Sequence, residues 1–305
     1  MRISSTNLSK IMMESISQRT FDYAKLDQQL KTGKRINQIS DDPVASMQLA
    51  HLEKSKKSVE QYQTNISRLS GNLTAQEANL TSLDNQLLSI HNKLLTAKNS
   101  NHSATQSAIL GREVDMLIEG VITDLNSQNS EGNYLFSGTK SNVKPIVYDQ
   151  VQNIYIYQGN SDSRETIVSD GVTMTENTHL SSAFSTSNNN LEILSDLKKL
   201  VDKMVDPNIS PSSYSQDISD MLAATDVAAG KVGGMITELG ARQNRLDHLK
   251  NIHDDIQIVN ANLEKDLSGV DIFKVNAELQ DNMLSTKISH NIYSKISQLS
   301  LFNYL

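Results

Sequence analysis

Apolar residues recur with a helical period toward both ends of this chain and in short alternating runs near its middle. The longest pattern joins Val59, Tyr62, Ile66, Leu69, Leu73, Gln76, Leu80, Leu83, Leu87, Ile90 and Leu94 at alternating spacings of three and four. A 3.5-residue repeat of this length puts one narrow apolar stripe on a helix of about 50 Å, and such a stripe requires a partner. Gln76 is its one polar member. It reads either as a register-setting hydrogen bond or as a polar residue tolerated at a wet position. A wider face follows on Leu110, Val114, Leu117, Ile118, Val121, Ile122 and Leu125, which predicts bundle packing against several neighbours. Leu246, Leu249, Ile252, Ile256, Val259 and Leu263 form a second stripe, expected to pair with the first. No proline lies between Pro43 and Pro145 or after Pro211, so neither arm contains the strongest helix breaker.

The chain ends carry stripes of their own. Leu8, Met12, Ile16, Tyr23, Leu26 and Leu30 lie on one face of an N-terminal helix, and Leu284, Ile288, Ile292, Ile296 and Leu299 on one face of a C-terminal helix. Termini of most domains are polar or frayed, so these stripes imply pairing with each other and burial in an assembly. The last residues, with Leu299, Leu301, Phe302 and Leu305, add a crowded apolar end. Between the arms, 133–139, 146–148, 153–160 and 166–171 are short β-branched or aromatic runs closed by Gly, Asn and Asp, which predicts strands and turns. A polar stretch at 181–190 reads as a linker to a helix at about 191–205.

The expected fold class is therefore mainly α with a β-rich insert: a long antiparallel coiled coil or bundle formed by the N- and C-terminal arms, plus a small outer β domain. The expected boundaries are 1–45 and 270–305 for a terminal helical region that orders on assembly, 46–132 and 191–269 for a helical core, and 133–190 for the β domain.

The 305 residues carry a formal charge of −7 and are 37% hydrophobic. An acidic chain of this kind lacks the electrostatic footprint of a nucleic-acid binder. No stretch has the length and apolarity of a membrane span, and the N-terminus lacks a cleavable signal's apolar run. With no cysteine, disulfides, thiol nucleophiles and cysteine metal sites are all excluded.

Candidate chemistry is sparse. His51, His91, His102, His179, His248, His253 and His290 show no zinc-ligand spacing, and all read as surface residues. Gly33-Lys34 and Gly230-Lys231 fail the phosphate-loop pattern. Asp41-Asp42 could be a metal pair, but Asp42 followed by Pro43 reads better as a helix cap, because the carboxylate accepts free amide hydrogens while Pro lacks the orphaned one. Asn65-Ile66-Ser67, Asn72-Leu73-Thr74 and Asn79-Leu80-Thr81 match the glycosylation pattern, and the seven-residue repeat explains them without sugar. No catalytic, cofactor-binding or metal-binding residue is predicted.

The run from Lys31 to Ala45, Lys-Thr-Gly-Lys-Arg-Ile-Asn-Gln-Ile-Ser-Asp-Asp-Pro-Val-Ala, resembles the N-terminal signature of the bacterial flagellin family, and Leu239-Gly240-Ala241-Arg242-Gln243-Asn244-Arg245-Leu246 resembles its C-terminal helix. Asp42-Pro43, Tyr134-Leu135-Phe136-Ser137-Gly138-Thr139-Lys140 and the ending Ser300-Leu301-Phe302-Asn303-Tyr304-Leu305 look like the hook-filament junction members of that family rather than filament flagellin. Between Ser268 and Thr286 the family's small-residue and Gln-Gln pattern gives way to Phe273 and Asp281-Asn282.

The resemblance implies an extracellular structural protein of the bacterial flagellum, exported through the flagellar type III apparatus and joining hook to filament. It implies a homo-oligomeric ring or tube, with another hook-associated protein and flagellin as neighbours and an export chaperone on the C-terminal region. The assembly residues it implies are Leu8, Met12, Ile16, Leu26, Leu30, Leu284, Ile288, Ile292, Ile296, Leu299, Leu301, Phe302 and Leu305. Filament flagellin and, from another class, a secreted coiled-coil effector or enzyme on a flagellin-like frame stand as alternatives.

Overall fold

The computed structural model describes residues 2–99, 103–129, 131–184 and 191–302. The elements run α1 (Arg2–Thr32), α2 (Pro43–Asn99), α3 (Ala104–Leu125), β1 (Ile146–Asp149), β2 (Ile154–Tyr157), β3 (Glu165–Ser169), β4 (Val172–Thr175), α4 (Ser181–Phe184), α5 (Glu192–Val205), α6 (Ser215–Ser268) and α7 (Ile272–Phe302). The fold is mainly helical with a small β portion, as the periodicities predict. Two compact units result, Glu60–His253 and Met1–Val59 with Asp254–Leu305.

In the unit Glu60–His253, the α2 stripe is the core. Ile66, Leu69, Leu73, Leu80, Leu83, Leu87, Ile90 and Leu94 are all buried, together with Val114, Ile118, Val121 and Leu125 of α3 and Leu194, Leu197, Leu200 and Met204 of α5. Helix α3 runs antiparallel to α2, with Gln86 Nε2 donating to Asp124 (2.9 Å) and Lys93 paired with Glu113 (2.6 Å). Its start is fixed by a reciprocal cap that sequence reading overlooked: Gln106 N donates to Ser103 Oγ (3.4 Å) and Ser103 N to Gln106 Oε1 (3.0 Å). On α6, Ile218, Leu222, Val232, Leu239 and Leu246 join the same core, and Gln243 reaches Glu77 of α2 at 2.9 Å.

The expected partner stripe on α6 holds at Leu246 and Leu249, is half-buried at Ile256, and fails at Ile252, Val259 and Leu263. Ile252 is exposed, while His253 is buried and stacked on Tyr62 with ring centroids 5.5 Å apart. His253 therefore corrects the reading of every histidine as a surface residue. Its imidazole ring stacks flat against the tyrosine, and Nε2 lies 2.8 Å from the Val168 carbonyl. Further along α6, Asn260 is buried while Val259 and Leu263 are exposed. The buried face follows the seven-residue step from Leu239 through Leu246 and His253 to Asn260, whatever the hydrophobicity at each step.

The middle of the chain forms two separate antiparallel pairs, β1 with β2 and β3 with β4. Three of the four predicted runs are strands. The fourth, 133–139, is not: Tyr134 makes only an isolated bridge to Gln128, and Leu135, Phe136 and Ser137 are buried in a turn-rich loop. That loop is held by Tyr157, whose hydroxyl donates to the Phe136 carbonyl at 2.9 Å and whose acidity burial pushes down, to a pKa of about 12. Asn160 closes it, accepting from Thr139 N (2.8 Å) and donating to Thr139 Oγ1 (2.7 Å). Of the predicted linker, 181–184 is the helical turn α4, and 185–190 lies outside the described residues.

The β3–β4 pair is tied down by side-chain donors. Gln76 is buried in the α2 stripe and donates to the Glu176 carbonyl at 2.7 Å, so it has a specific partner and is not in a wet gap. Asn65 Nδ2 donates to Ile167 O (2.8 Å), and Arg242 to Asn177 O (3.2 Å). The first glycosylation-like asparagine is thereby engaged in the fold.

In the unit Met1–Val59 with Asp254–Leu305, α1 packs against α7. Gly33, at φ +67°, ends α1. Lys34 then bridges Gly269, with Arg35 N donating to Ser268 O (2.7 Å) and Val270 N to Gly33 O (3.3 Å). This holds the end of α1 beside the start of α7, so the two helices run antiparallel. Gly269 has no room for a side chain, since an added Cβ would lie 2.4 Å from the Lys265 carbonyl. The two aspartates of the signature run act on backbone. Asp41 accepts from Asn37 N and Gln38 N, both 3.0 Å, and pairs with Lys25 at 2.9 Å. Asp42 accepts from Ala45 N (3.0 Å) ahead of Pro43, and Arg35 bonds it from the other side (3.3 Å). Both are helix and turn caps, and among the described residues no cluster of metal-ligating side chains occurs.

Two outcomes follow from this geometry. Gly171 sits in a left-handed turn with open space around it, and Gly138, also left-handed, would drive a Cβ to 2.2 Å from Asn160. Gly171→Ala should cost about 1 kcal/mol, the left-handed penalty alone. Gly138→Ala should cost clearly more in denaturant titration, and equal losses would refute the packing of this loop. The second outcome concerns acid. The Lys25 bond and the Asn37 and Gln38 amides lower the Asp41 carboxyl, and the Ala45 amide and Arg35 lower that of Asp42. Depressed carboxyls stabilise the fold above their unfolded pKa of about 4, and that contribution disappears as pH falls through the folded values. Amide protection at Asn37, Gln38 and Ala45 should fall between pH 5 and 2. In Asp41→Asn, protection at Asn37 and Gln38 should already be reduced at pH 6 and then change little with acid.

Candidate assembly surface

The α1–α7 pair buries a modest seam. On α1 the less exposed positions are Ser9, Met12, Ile16, Arg19, Asp22, Leu26, Asp27, Gln29 and Leu30, mostly at coiled-coil spacing. On α7 they are Val275, Leu279, Asn282, Ser285, Thr286, Ser289 and Tyr293, a line at steps of four and three with Ser285 beside it. Four of the predicted assembly residues, Met12, Ile16, Leu26 and Leu30, are thus half-buried on the seam side of α1.

The predicted α7 stripe is elsewhere. Leu284 is 59% exposed, Ile288 49% and Ile292 42%. The expectation that these three face α1 is corrected: the side of α7 turned inward carries Asn282, Thr286 and Ser289, and the large aliphatic groups lie on another face. The reason is register. Val275 is buried and Leu279 half-buried at the start of α7, next to the Lys34–Gly269 bridge, and a helix anchored there carries its 3.5-residue inner line through 282, 286 and 289. Helix α1 likewise has apolar side chains off its seam, with Ile11, Met13 and Phe21 exposed. Of the remaining predicted residues, Leu8, Ile296, Leu299, Leu301 and Phe302 lie along α1 and α7, with only the helix to place them, and Leu305 lies outside the described residues.

Around the turn joining α6 to α7, charge is organised. Glu264 bonds Lys56 at 2.8 Å and lies 3.7 Å from Lys34, and the Lys56 hydrogen bond holds its carboxyl below the usual range. Arg35 Nη2 donates to the Leu267 carbonyl at 3.1 Å, linking the signature run to the end of α6. A cleft of ≈ 180 Å³ opens here, lined by Lys34, Ile36, Leu49, Leu52, Glu53, Glu264 and Ser268. Sequence reading missed this cleft, because its walls come from residues more than 200 positions apart. Exposed apolar side chains also occur at Ile39, Val44 and Met47, between α1 and the first turn of α2, and at Ile272 and Phe273, at the start of α7. The surface offers apolar contact and fixed ion pairs. No helix among the described residues is long and apolar enough to cross a membrane.

Comparison with known proteins agrees with this architecture. Residues 3–141 match the model of the bacterial flagellin N-terminal helical region. Flagellar hook-associated protein 3 of Salmonella typhimurium is 24% identical over 155 residues, which is 51% of this chain and 48% of that protein, so the match spans about half the length of the relative. A solved structure from Vibrio parahaemolyticus, described as a flagellar hook-associated protein, superposes with a TM-score of 0.68 at 29% identity, covering 75% of this chain and all of that one. Flagellar hook-associated protein 3 of Legionella pneumophila, at 17% identity and a TM-score of 0.64 over 72% of this chain and 98% of that one, shares the fold. The chain thus matches the bacterial flagellin N-terminal helical region over residues 3–141, which hold the double-capped signature turn, and its fold is similar to those of flagellar hook-associated proteins.

Proposed function

We propose that this protein is a structural adaptor of the bacterial flagellum, joining hook to filament by self-assembly of its terminal helices. The observation that carries the reading is the second apolar face of α7: Leu284, Ile288 and Ile292 stand exposed although α7 already has α1 as a partner. A contiguous apolar stripe left in water on a helix that has a partner marks an interaction surface. In this reading, 1–45 and 270–305 pack in the inner wall of a tube or ring of like subunits, 46–132 and 191–269 form the helical core, and 133–190 is turned outward.

The role is mechanical and needs no catalysis. Its neighbours are further copies, another hook-associated protein and flagellin. Its place is extracellular, reached by flagellar export, and an export chaperone covers the C-terminal apolar face beforehand. The likeness to flagellar hook-associated proteins supports the placement in the flagellum.

The test separates assembly from folding. Leu284→Ser with Ile288→Ser removes two exposed side chains, so stability of the monomer should change by no more than about 0.5 kcal/mol per site. The same double variant should abolish motility, leaving cells with hooks, no filaments and free flagellin in the medium. Normal filaments in electron micrographs would refute the assembly role of this face, and a marked drop in monomer melting temperature would assign it to the molecule's own core.

A further inference from the structure

We propose that His179 is a pH-sensitive lock on the junction where the loop 133–139, the β3–β4 pair and α6 meet, and that its protonation opens this junction. The inference stands apart from the assembly role and does not rest on it. The junction is a chain of hydrogen bonds. Asn160, whose side chain holds the loop through Thr139, also donates to Asp162 Oδ2 at 2.7 Å. The Asp162 carbonyl accepts from Asn177 Nδ2 at 3.0 Å, and Asn177 Oδ1 accepts from Arg164 N at 2.8 Å, just before β3. Arg242 of α6 grips the Asn177 carbonyl at 3.2 Å, just after β4. One line of bonds therefore runs from the loop, through both ends of the β3–β4 pair, to α6.

His179 sits within this line. Its Nε2 lies 3.3 Å from Ser163 Oγ, on the segment between Asp162 and Arg164. The residues on either side of it, Thr178 and Leu180, are buried, as is Asn177, so the backbone that carries the ring is lodged in the fold. The charged groups around the ring are Arg242 and Glu238 from α6 and Asp162 from the β2–β3 connection. Burial first, and the Arg242 guanidinium next, oppose an imidazolium; Asp162, the Asn160 backbone and Glu238 favour it more weakly, so the ring is held below the ordinary histidine range. Both carboxylates are already engaged, Asp162 by Asn160 and Glu238 by Arg242. A proton added here sets a second cation against the guanidinium that holds Asn177.

The direction of the response follows. In an opened junction the imidazole meets water, with a pKa of about 6.5, and takes the proton before the closed form does. The closed form keeps its full stability above that value and loses it as pH falls through the lower, folded value. One proton makes opening grow by at most about tenfold per pH unit in this window. The carboxylates of the signature run respond only at lower pH, because theirs lie below the ordinary carboxylate range.

The test reads amide protection factors in the full-length chain between about pH 7 and 5, on either side of the free imidazole's value. Thr139 N and Arg164 N are bonded inside the junction, and their protection should fall by about tenfold across that range. Leu83, in the buried α2 stripe, should hold steady. His179→Gln keeps a polar side chain that does not titrate, and its fall should vanish, which separates His179 from every other histidine. Followed by NMR in the unaltered protein, the His179 ring should titrate below about 6.5, a readout that needs no variant. Unchanged protection at Thr139 and Arg164, an equal fall in His179→Gln, or a ring that titrates at or above the free imidazole's value would each overturn the lock.

Discussion

The leucine and isoleucine stripe of α2 from Ile66 to Leu94 is the interaction on which the unit Glu60–His253 depends. Its eight aliphatic members are buried on a helix free of proline beyond its first residue. Each contributes about 1.5–3 kcal/mol only if another apolar surface covers it. Helices α3, α5 and α6 supply that surface together, since the 29-residue line from Ile66 to Leu94 is longer than α3 or α5 alone. Where Gly111 of α3 faces α5, an added Cβ would lie 3.0 Å from Met204 Cβ. A residue without a side chain there lets the backbones come near enough for the flanking aliphatic groups to interdigitate.

Polar residues within this apolar system mark where the β3–β4 pair attaches. A two-stranded hairpin is marginal in water by itself. Here its carbonyls receive donors from helices: Gln76 and Asn65 from α2, Arg242 and His253 from α6. Thr166 and Val168 are the buried members of β3 and Glu165 and Ile167 its exposed ones, so alternation and side-chain bonds agree on which face lies inward. Gln76 and His253 would each weaken a purely apolar seam. Both are consistent with attachment setting the residue type at those two steps.

The terminal pair follows another logic. Its inner line on α7 contains asparagine, threonine and serine, and its exposed face carries leucine and isoleucine. A helix built solely to close a monomer would have the reverse arrangement, because burial is where aliphatic side chains stabilise and exposure is where they cost solubility. The double-capped turn from Gly33 to Ala45 and the Lys34–Gly269 bridge fix this arrangement at one end of the pair. The signature run thus acts through backbone geometry, with its carboxylates ionised on amides and cations.

Much was legible in the sequence for a physical reason. Heptad spacing is local and survives any tertiary context, so the α2 stripe, the wide face of α3, the paired arms and the cap at Asp42-Pro43 could be read directly. Three of the strand runs were legible because alternation and turn residues are local too. The loop at 133–139 was not, because its β-like composition serves burial around the Tyr157 hydroxyl, a partner some twenty residues away. His253 was misjudged because its environment comes from Tyr62 and Val168, which no spacing on α6 reveals. Most of all, the sequence by itself determined that α7 bears an aliphatic stripe but not which way the stripe turns. Only the tertiary structure decided that, through the bridge at Gly269 and the anchoring of Val275, because the rotation of a helix about its axis is set by where its end is pinned.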